Sequence, residues 1–206
     1  IDIDLYKAKK LYPFQEQTVT TILNELDDNG VDFNLLYQLP TGGGKTVIFS
    51  EIAKQYIART KKKILILTHR IELSVQTSKQ LSAISVTNKI INSEVKELPN
   101  QDEYQCFIAM VETLHNRLND DGNFIKDVGL VIVDEAHYNS FRKIFQYYLN
   151  CNILGVTATP LSSNKALPLK DNYNKLLVGE SISGLIEKGY LSNADTFSYD
   201  VNLHGL

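Results

Sequence analysis

Three glycines, a lysine and a threonine stand in a row at Thr41-Gly42-Gly43-Gly44-Lys45-Thr46, directly after the apolar run Leu35-Leu36-Tyr37-Gln38-Leu39. An apolar strand that breaks into glycines and continues as a helix leaves backbone N–H groups without carbonyl partners, aimed from a helix N-terminus whose dipole favours an anion. Such a ring cradles phosphate. The Lys45 ammonium would reach the β and γ phosphates as a point charge, and the Thr46 hydroxyl would ligate the Mg²⁺ that bridges them. The stretch is a nucleoside triphosphate site by its chemistry. It fits the pattern G-x-x-x-x-G-K-S/T except at the first position, where Leu39 replaces glycine; a glycine-rich turn that merely carries a lysine is the alternative.

A second constellation follows the apolar run Leu130-Val131-Ile132-Val133. Asp134 there is the expected second holder of Mg²⁺, usually through water, and Glu135 beside it can polarise the attacking water. An acidic turn at a strand end is the plainer alternative. A zinc protease is excluded because H-E-x-x-H is absent: the order is Glu135-Ala136-His137.

These residues need a scaffold, and the chain alternates helix and strand to supply one. Val19, Ile22, Leu23 and Leu26 recur at helical spacing after Pro13, with a stop at Asp28-Asn29-Gly30. A strand over 34–39 leads to the glycines and to a helix carrying Ile48, Ile52, Ala53, Tyr56 and Ile57. Lys61-Lys62-Lys63 reads as a solvated turn before the continuous apolar run Ile64-Leu65-Ile66-Leu67-Thr68. A helix over about 71–83, a short strand over 86–91 and a polar loop with Pro99 come next. Cys106-Phe107-Ile108-Ala109-Met110, Leu130-Val131-Ile132-Val133 and Ile153-Leu154-Gly155-Val156-Thr157 are three further apolar strands. Phe141, Ile144, Phe145, Tyr148 and Leu149 sit at helical spacing and read as core. Continuous apolar strands are buried on both faces, as in parallel sheets. The pattern predicts an α/β fold, a three-layer α/β/α doubly wound parallel sheet, with ligands at the carboxyl ends of the strands.

The chain has 206 residues, enough for one α/β domain and too few for two ordinary ones. Its 43% hydrophobic and 22% charged content are those of a soluble globular protein. A formal net charge of −3 excludes a generally basic surface, so nucleic acid would have to meet a local patch. Two cysteines give no disulfide framework, and an intracellular setting is expected. No apolar run is long enough to span a membrane, and Ile1-Asp2-Ile3-Asp4 is too acidic for a signal peptide.

The motifs together resemble a known family. Thr41-Gly42-Gly43-Gly44-Lys45-Thr46, Asp134-Glu135-Ala136-His137 and Thr157-Ala158-Thr159-Pro160 look like motifs I, II and III of superfamily 2 helicases of the DEAH type. Leu11-Tyr12-Pro13-Phe14-Gln15 resembles the adenine-reading stretch of that group, and Leu67-Thr68-His69-Arg70-Ile71-Glu72-Leu73 resembles its motif Ia. Met110-Val111-Glu112-Thr113-Leu114 resembles the segment whose threonine touches nucleic-acid phosphate. The wider context, with Leu185-Ile186-Glu187-Lys188-Gly189-Tyr190-Leu191, is most similar to DNA helicases and translocases related to the Res subunit of type III restriction enzymes. The likeness runs from residue 11 to 191.

That resemblance implies a RecA-like P-loop NTPase domain over 1–206, binding ATP and Mg²⁺ and acting on nucleic acid, DNA rather than RNA. Glu135, Lys45 and Asp134 would be catalytic. Gln15 has the donor and acceptor to pair with adenine N6 and N7, and Tyr12 stands where many relatives carry arginine, which leaves open whether the adenine stacks on a guanidinium or on a phenol ring. Arg70, Gln76 and Thr113 are the expected backbone-phosphate contacts, with an ion pair, a solvated helix residue and a helix cap as their plainer alternatives. His137, Thr157 and Thr159 would couple nucleotide to track. The four arginines, Arg59, Arg70, Arg117 and Arg142, lie in no Q-x-x-G-R-x-x-R sequence, so the second RecA-like lobe and its arginine finger are expected outside this chain. A non-hydrolysing ATP-binding module and a small P-loop kinase are the other classes considered.

Overall fold

The computed structural model describes residues 9–39, 44–136, 141–158 and 173–178. Within them the chain forms α1 (Pro13–Asn29), β1 (Asn34–Gln38), α2 (Lys45–Thr60), β2 (Lys63–Thr68), α3 (Ile71–Ala83), β3 (Asn88–Ile91), β4 (Cys106–Met110), α4 (Val111–Asp120), β5 (Val128–Asp134), α5 (Arg142–Phe145), β6 (Asn152–Thr157) and β7 (Lys175–Val178). The seven strands make one sheet in the order β3-β4-β2-β5-β6-β1-β7, and every pairing is parallel.

Alternation along the strands divides the core in two. Leu35, Tyr37, Ile64, Ile66, Leu130 and Ile132 join α1, α2 and α3 on one face. Leu36, Leu65, Leu67, Val131 and Val133 join α4 and the 141–151 segment on the other. The expected three-layer α/β/α sheet is the fold observed, and its central strands β2, β5 and β6 are buried along their whole length.

Local sequence accounts for the helices that frame the site. Pro13 opens α1 where its missing N–H costs nothing, the Gln15 side chain accepts the Tyr12 N–H at 2.8 Å, and Gly30 at φ +70° closes the helix on the Leu26 carbonyl. Lys61, in the left-handed helical conformation at φ +60°, ends α2 with its N–H on the Ile57 carbonyl.

Three sequence expectations change. Phe141 to Leu149 is not one helix: only Arg142–Phe145 is helical, and Tyr147 and Tyr148 then bond three residues back, in tight turns that leave Leu149 72% exposed. Lys63 is no solvated turn residue but the first, buried residue of β2, its ammonium 2.7 Å from the Asp102 carboxylate, which it holds below the usual carboxylate range. The strand expected over 86–91 begins at Asn88, because the Asn88 amide is bonded to Ser82 and to the Val86 carbonyl in the turn before it.

Gly155 in β6 has a packing reason to be glycine. A Cβ there would lie 2.5–2.7 Å from ring atoms of Tyr173. We expect Gly155→Ala to cost about 1–3 kcal/mol by overpacking, a fall of several degrees in the thermal midpoint. A melt followed by circular dichroism checks this, and an unchanged midpoint would mean that Tyr173 does not lie over this strand.

Candidate nucleotide site and nucleic-acid edge

The carboxyl ends of the parallel strands lie along one edge of the sheet, and that edge collects the chemistry. Gly44 is the N-cap of α2, at φ +75°, a left-handed conformation in which a side chain is strained. Space demands glycine too: a Cβ on Gly44 would sit 2.1 Å from the Gln15 Nε2. The adenine-reading candidate therefore packs directly on the root of the glycine loop. Gln15 is buried at 4% exposure, so it is no ordinary surface glutamine of a first helical turn.

The N-terminus of α2 is also unlike those of the other long helices. α1, α3 and α4 carry Glu16, Glu72 and Glu112 in their first turns, where a carboxylate meets the positive end of the dipole. α2 has no acidic residue there and begins with Lys45. Positive potential is left for an outside anion.

Lys45 Nζ lies 3.1 Å from Asp134 Oδ1, across 89 residues of sequence. Asp134, at the end of β5, is buried, and its Oδ1 also accepts the Glu135 N–H at 3.0 Å. Glu135 is half-buried, with a backbone φ of +53° that turns it out of the strand; for a residue with a Cβ this is a strained conformation of the kind held at functional sites. Arg70 Nη2 stands 3.6 Å from Glu135 Oε1. Two backbone bonds lace these loop roots together: Ala136 N–H donates to the Val156 carbonyl and Leu39 N–H to the Thr157 carbonyl, both at 2.9 Å. Thr157 thus joins the end of β6 to the residue that enters the glycine loop.

A cleft of about 840 Å³ opens over Lys45 and Asp134, within the range of small-molecule sites. Tyr12, Gln15, Gly44, Lys45, Thr46 and Asp134 line it. The donor set fits Mg·ATP: a cation and a helix N-terminus for phosphate, a hydroxyl and one buried carboxylate for the metal. Among the described residues no group of three or more His, Cys, Asp or Glu could hold a metal alone, and Mg²⁺ needs none, since one or two carboxylates and substrate phosphates suffice.

Arg70 and Thr113 follow neighbouring strands, with Thr68 of β2 opposite Met110 of β4. Thr113 lies in the first turn of α4, half-buried. Beside it the Lys143 ammonium bonds Glu112 and holds that carboxyl below its usual range, so the acid next to Thr113 is already matched by a cation. Gln76 lies elsewhere, on the α3 wall of the nucleotide cleft. His69 packs edge-on against Phe141 at 4.5 Å. Cys106 and Cys151 are free, buried thiols, and burial pushes Cys151 up to about 11. Thr41, Gly42, Gly43, His137, Thr159, Pro160, His204 and the 185–191 stretch lie outside the described residues.

Sequence reasoning missed Lys9, Lys10, Thr77 and Lys79 as lining residues and Gln80 as a buried one. A signal existed: Ser74, Thr77 and Gln80 recur every three residues on the inward face of α3, and polar residues on a buried face need partners.

A parallel sheet with Gly44, Lys45 and Thr46 at the start of the helix that follows β1, and Asp134 and Glu135 at the end of β5, has the layout of a P-loop nucleotide-binding domain. Residues 8–162 match the family described as Type III restriction enzyme, res subunit, and the chain belongs to that family. IRC3 of Saccharomyces cerevisiae is 29% identical over 205 residues, covering 92% of this chain and 29% of IRC3. The ATP-dependent DNA helicase mph1 of Neurospora crassa is 28% identical over 179 residues, covering 79% of this chain and 15% of that protein. The chain thus spans less than a third of these relatives' length. The crystal structure of the UvsW helicase from Bacteriophage T4 aligns with a TM-score of 0.65 at 17% identity, over 84% of this chain and 62% of UvsW. The fold is that of the N-terminal RecA-like domain of superfamily 2 helicases.

Proposed function

We propose that this chain is the ATP-binding and ATP-hydrolysing lobe of a DEAH-type nucleic-acid helicase or translocase, working on DNA with a second RecA-like lobe. The observation that carries the reading is the Lys45–Asp134 pair, which joins the start of α2 to the end of β5 beside Gln15 and Gly44. DNA is favoured over RNA because mph1, a relative over most of this chain, is by name a DNA helicase.

The residues divide the work. Backbone N–H groups from Gly42 to Thr46 and the Lys45 ammonium take the phosphate charge. Thr46 and Asp134 would hold Mg²⁺, which when bound neutralises charge developing on the phosphates. Glu135, carried out of the strand by its left-handed backbone, accepts the proton of the attacking water. Gln15 reads adenine from a buried position, with Tyr12 at the mouth of the cleft. Arg70 and Thr113, on adjacent strand ends, hold nucleic-acid phosphates without reading bases, and Gln76 joins them only where the track passes the α3 wall. His137, Thr157 and Thr159 transmit nucleotide state to that track, a role the Leu39–Thr157 backbone bond supports.

A second lobe is needed on chemical grounds. Arg59 is paired with Asp27, Arg117 bonds the carbonyls of Ser93 and Val95, Arg70 faces Glu135, and none of the four arginines, Arg142 included, lies in a Q-x-x-G-R-x-x-R sequence, so this reading assigns the transition-state arginines to a second lobe. ATP hydrolysis by the full-length gene product, measured with and without DNA, tests the proposal. Stimulation by DNA is expected. No turnover would mark a non-hydrolysing ATP-binding module, and phosphoryl transfer to a small acceptor would mark a kinase.

A further inference from the structure

Gln80 is the polar side chain whose role the motifs leave unexplained. It sits on the inward face of α3 at 2% exposure, and its partner lies across 71 residues of sequence. Gln80 Oε1 accepts the Lys9 N–H at 3.1 Å, and Gln80 Nε2 donates to the Lys9 carbonyl at 3.3 Å. One amide thus satisfies both backbone groups of one residue, in the way a neighbouring strand would.

The residue so held is not remote. Lys9, Lys10, Tyr12 and Gln15 all line the nucleotide cleft, and Leu73, Gln76, Thr77 and Lys79 of α3 line it from the other element. Lys9 is followed within a few residues by Tyr12, whose N–H fixes the Gln15 amide, and Gln15 fills the space against Gly44. The described chain before α1 belongs to no element of regular structure, and beside the Gln80 amide it is anchored by Leu11 on the core.

We propose that Gln80 is a positioning residue for base recognition: it clamps the 9–12 segment to α3, and thereby fixes the orientation of Tyr12 and Gln15 toward adenine. Gln80 itself does not line the cleft. This inference rests on the reading of Gln15 as the adenine contact. Gln80 bonds Lys9 and neither Lys45 nor Asp134, so the clamp governs selectivity among bases more than it governs triphosphate binding.

The test is titration of Mg·ATP, Mg·GTP and Mg·tripolyphosphate against the parent, Gln80→Leu and Gln80→Glu. The leucine has similar size and no hydrogen bonds, and the glutamate keeps the acceptor and loses the donor. The parent is expected to prefer ATP to GTP. Gln80→Leu should weaken ATP by roughly tenfold, the worth of one to two hydrogen bonds, with tripolyphosphate unchanged and the preference for adenine largely gone; Gln80→Glu should fall between. An equal loss for all three ligands would make Gln80 a structural residue only and overturn the inference, as would an intact adenine preference in Gln80→Leu. A parent indifferent between ATP and GTP would instead remove the adenine reading, and the inference with it. Should Gln80→Leu fail to fold, amide hydrogen exchange in the parent decides: Lys9 is expected to be protected, and exchange at the rate of an open chain would overturn the clamp.

Discussion

Replacing Glu135 with glutamine is expected to leave Mg·ATP bound and to lower kcat by roughly 10²–10⁴-fold, the scale of losing a general base. The amide keeps the size of the side chain and carries the same left-handed backbone cost, so the turn after β5 is undisturbed. Asp134 still accepts the N–H of residue 135, and the Lys45–Asp134 pair is untouched. What changes is the ability to take a proton from water, together with the weak ion pair to Arg70. Steady-state hydrolysis by the full-length protein, set beside titration calorimetry of ATP, separates the two steps. An unchanged kcat would show that the base lies elsewhere.

Lys45→Ala is expected to weaken ATP by roughly a hundredfold, since a charge-assisted contact to phosphate is lost. The structure adds a second consequence. Asp134 is buried, and removing Lys45 leaves a carboxylate with a lone backbone donor in place of an ammonium. Breaking a buried pair from one side is costly; with Lys45 itself partly open to solvent, we expect a loss of about 1–2 kcal/mol without nucleotide. Combining Lys45→Ala with Asp134→Asn should recover part of that loss, because the stranded charge goes too. Denaturant unfolding of the four proteins closes the cycle. Strictly additive losses would mean that the pair does not form in solution, and undiminished ATP affinity would remove Lys45 from the phosphate site.

Much of this architecture could be read directly from the amino-acid order, for a physical reason. β2, β5 and β6 are continuous apolar runs because parallel strands are covered on both faces, and the functional loops follow them without a gap, so the motifs are linear. β7 escaped notice: Lys175-Leu176-Leu177-Val178 is largely exposed and pairs among the described residues with β1 alone, so its sequence lacks the run that betrays a central strand. α4 escaped as well, because Val111, Leu114 and Leu118 are all the apolar residues that one face needs. The contacts of Arg70 with Glu135 and of Gln80 with Lys9 join residues brought together only by the fold. Neither partner's type announces the other, and no spacing rule connects them.

The Arg70–Glu135 contact bears on what a motor does with fuel at hand and nowhere to go. An idle engine that burns nucleotide achieves nothing. Here Glu135, the water-handling group of the proposed reading, has one oxygen turned to a guanidinium that is itself 64% exposed. At 3.6 Å and open to solvent, the pair is worth no more than about 1 kcal/mol, enough to bias a side chain and too little to lock it. A phosphodiester arriving at Arg70 offers that guanidinium a better partner, with two oxygens in its plane. On the proposed reading, nucleic acid arriving at Arg70 would thereby free Glu135 for its water, so throttle and load would share one arginine.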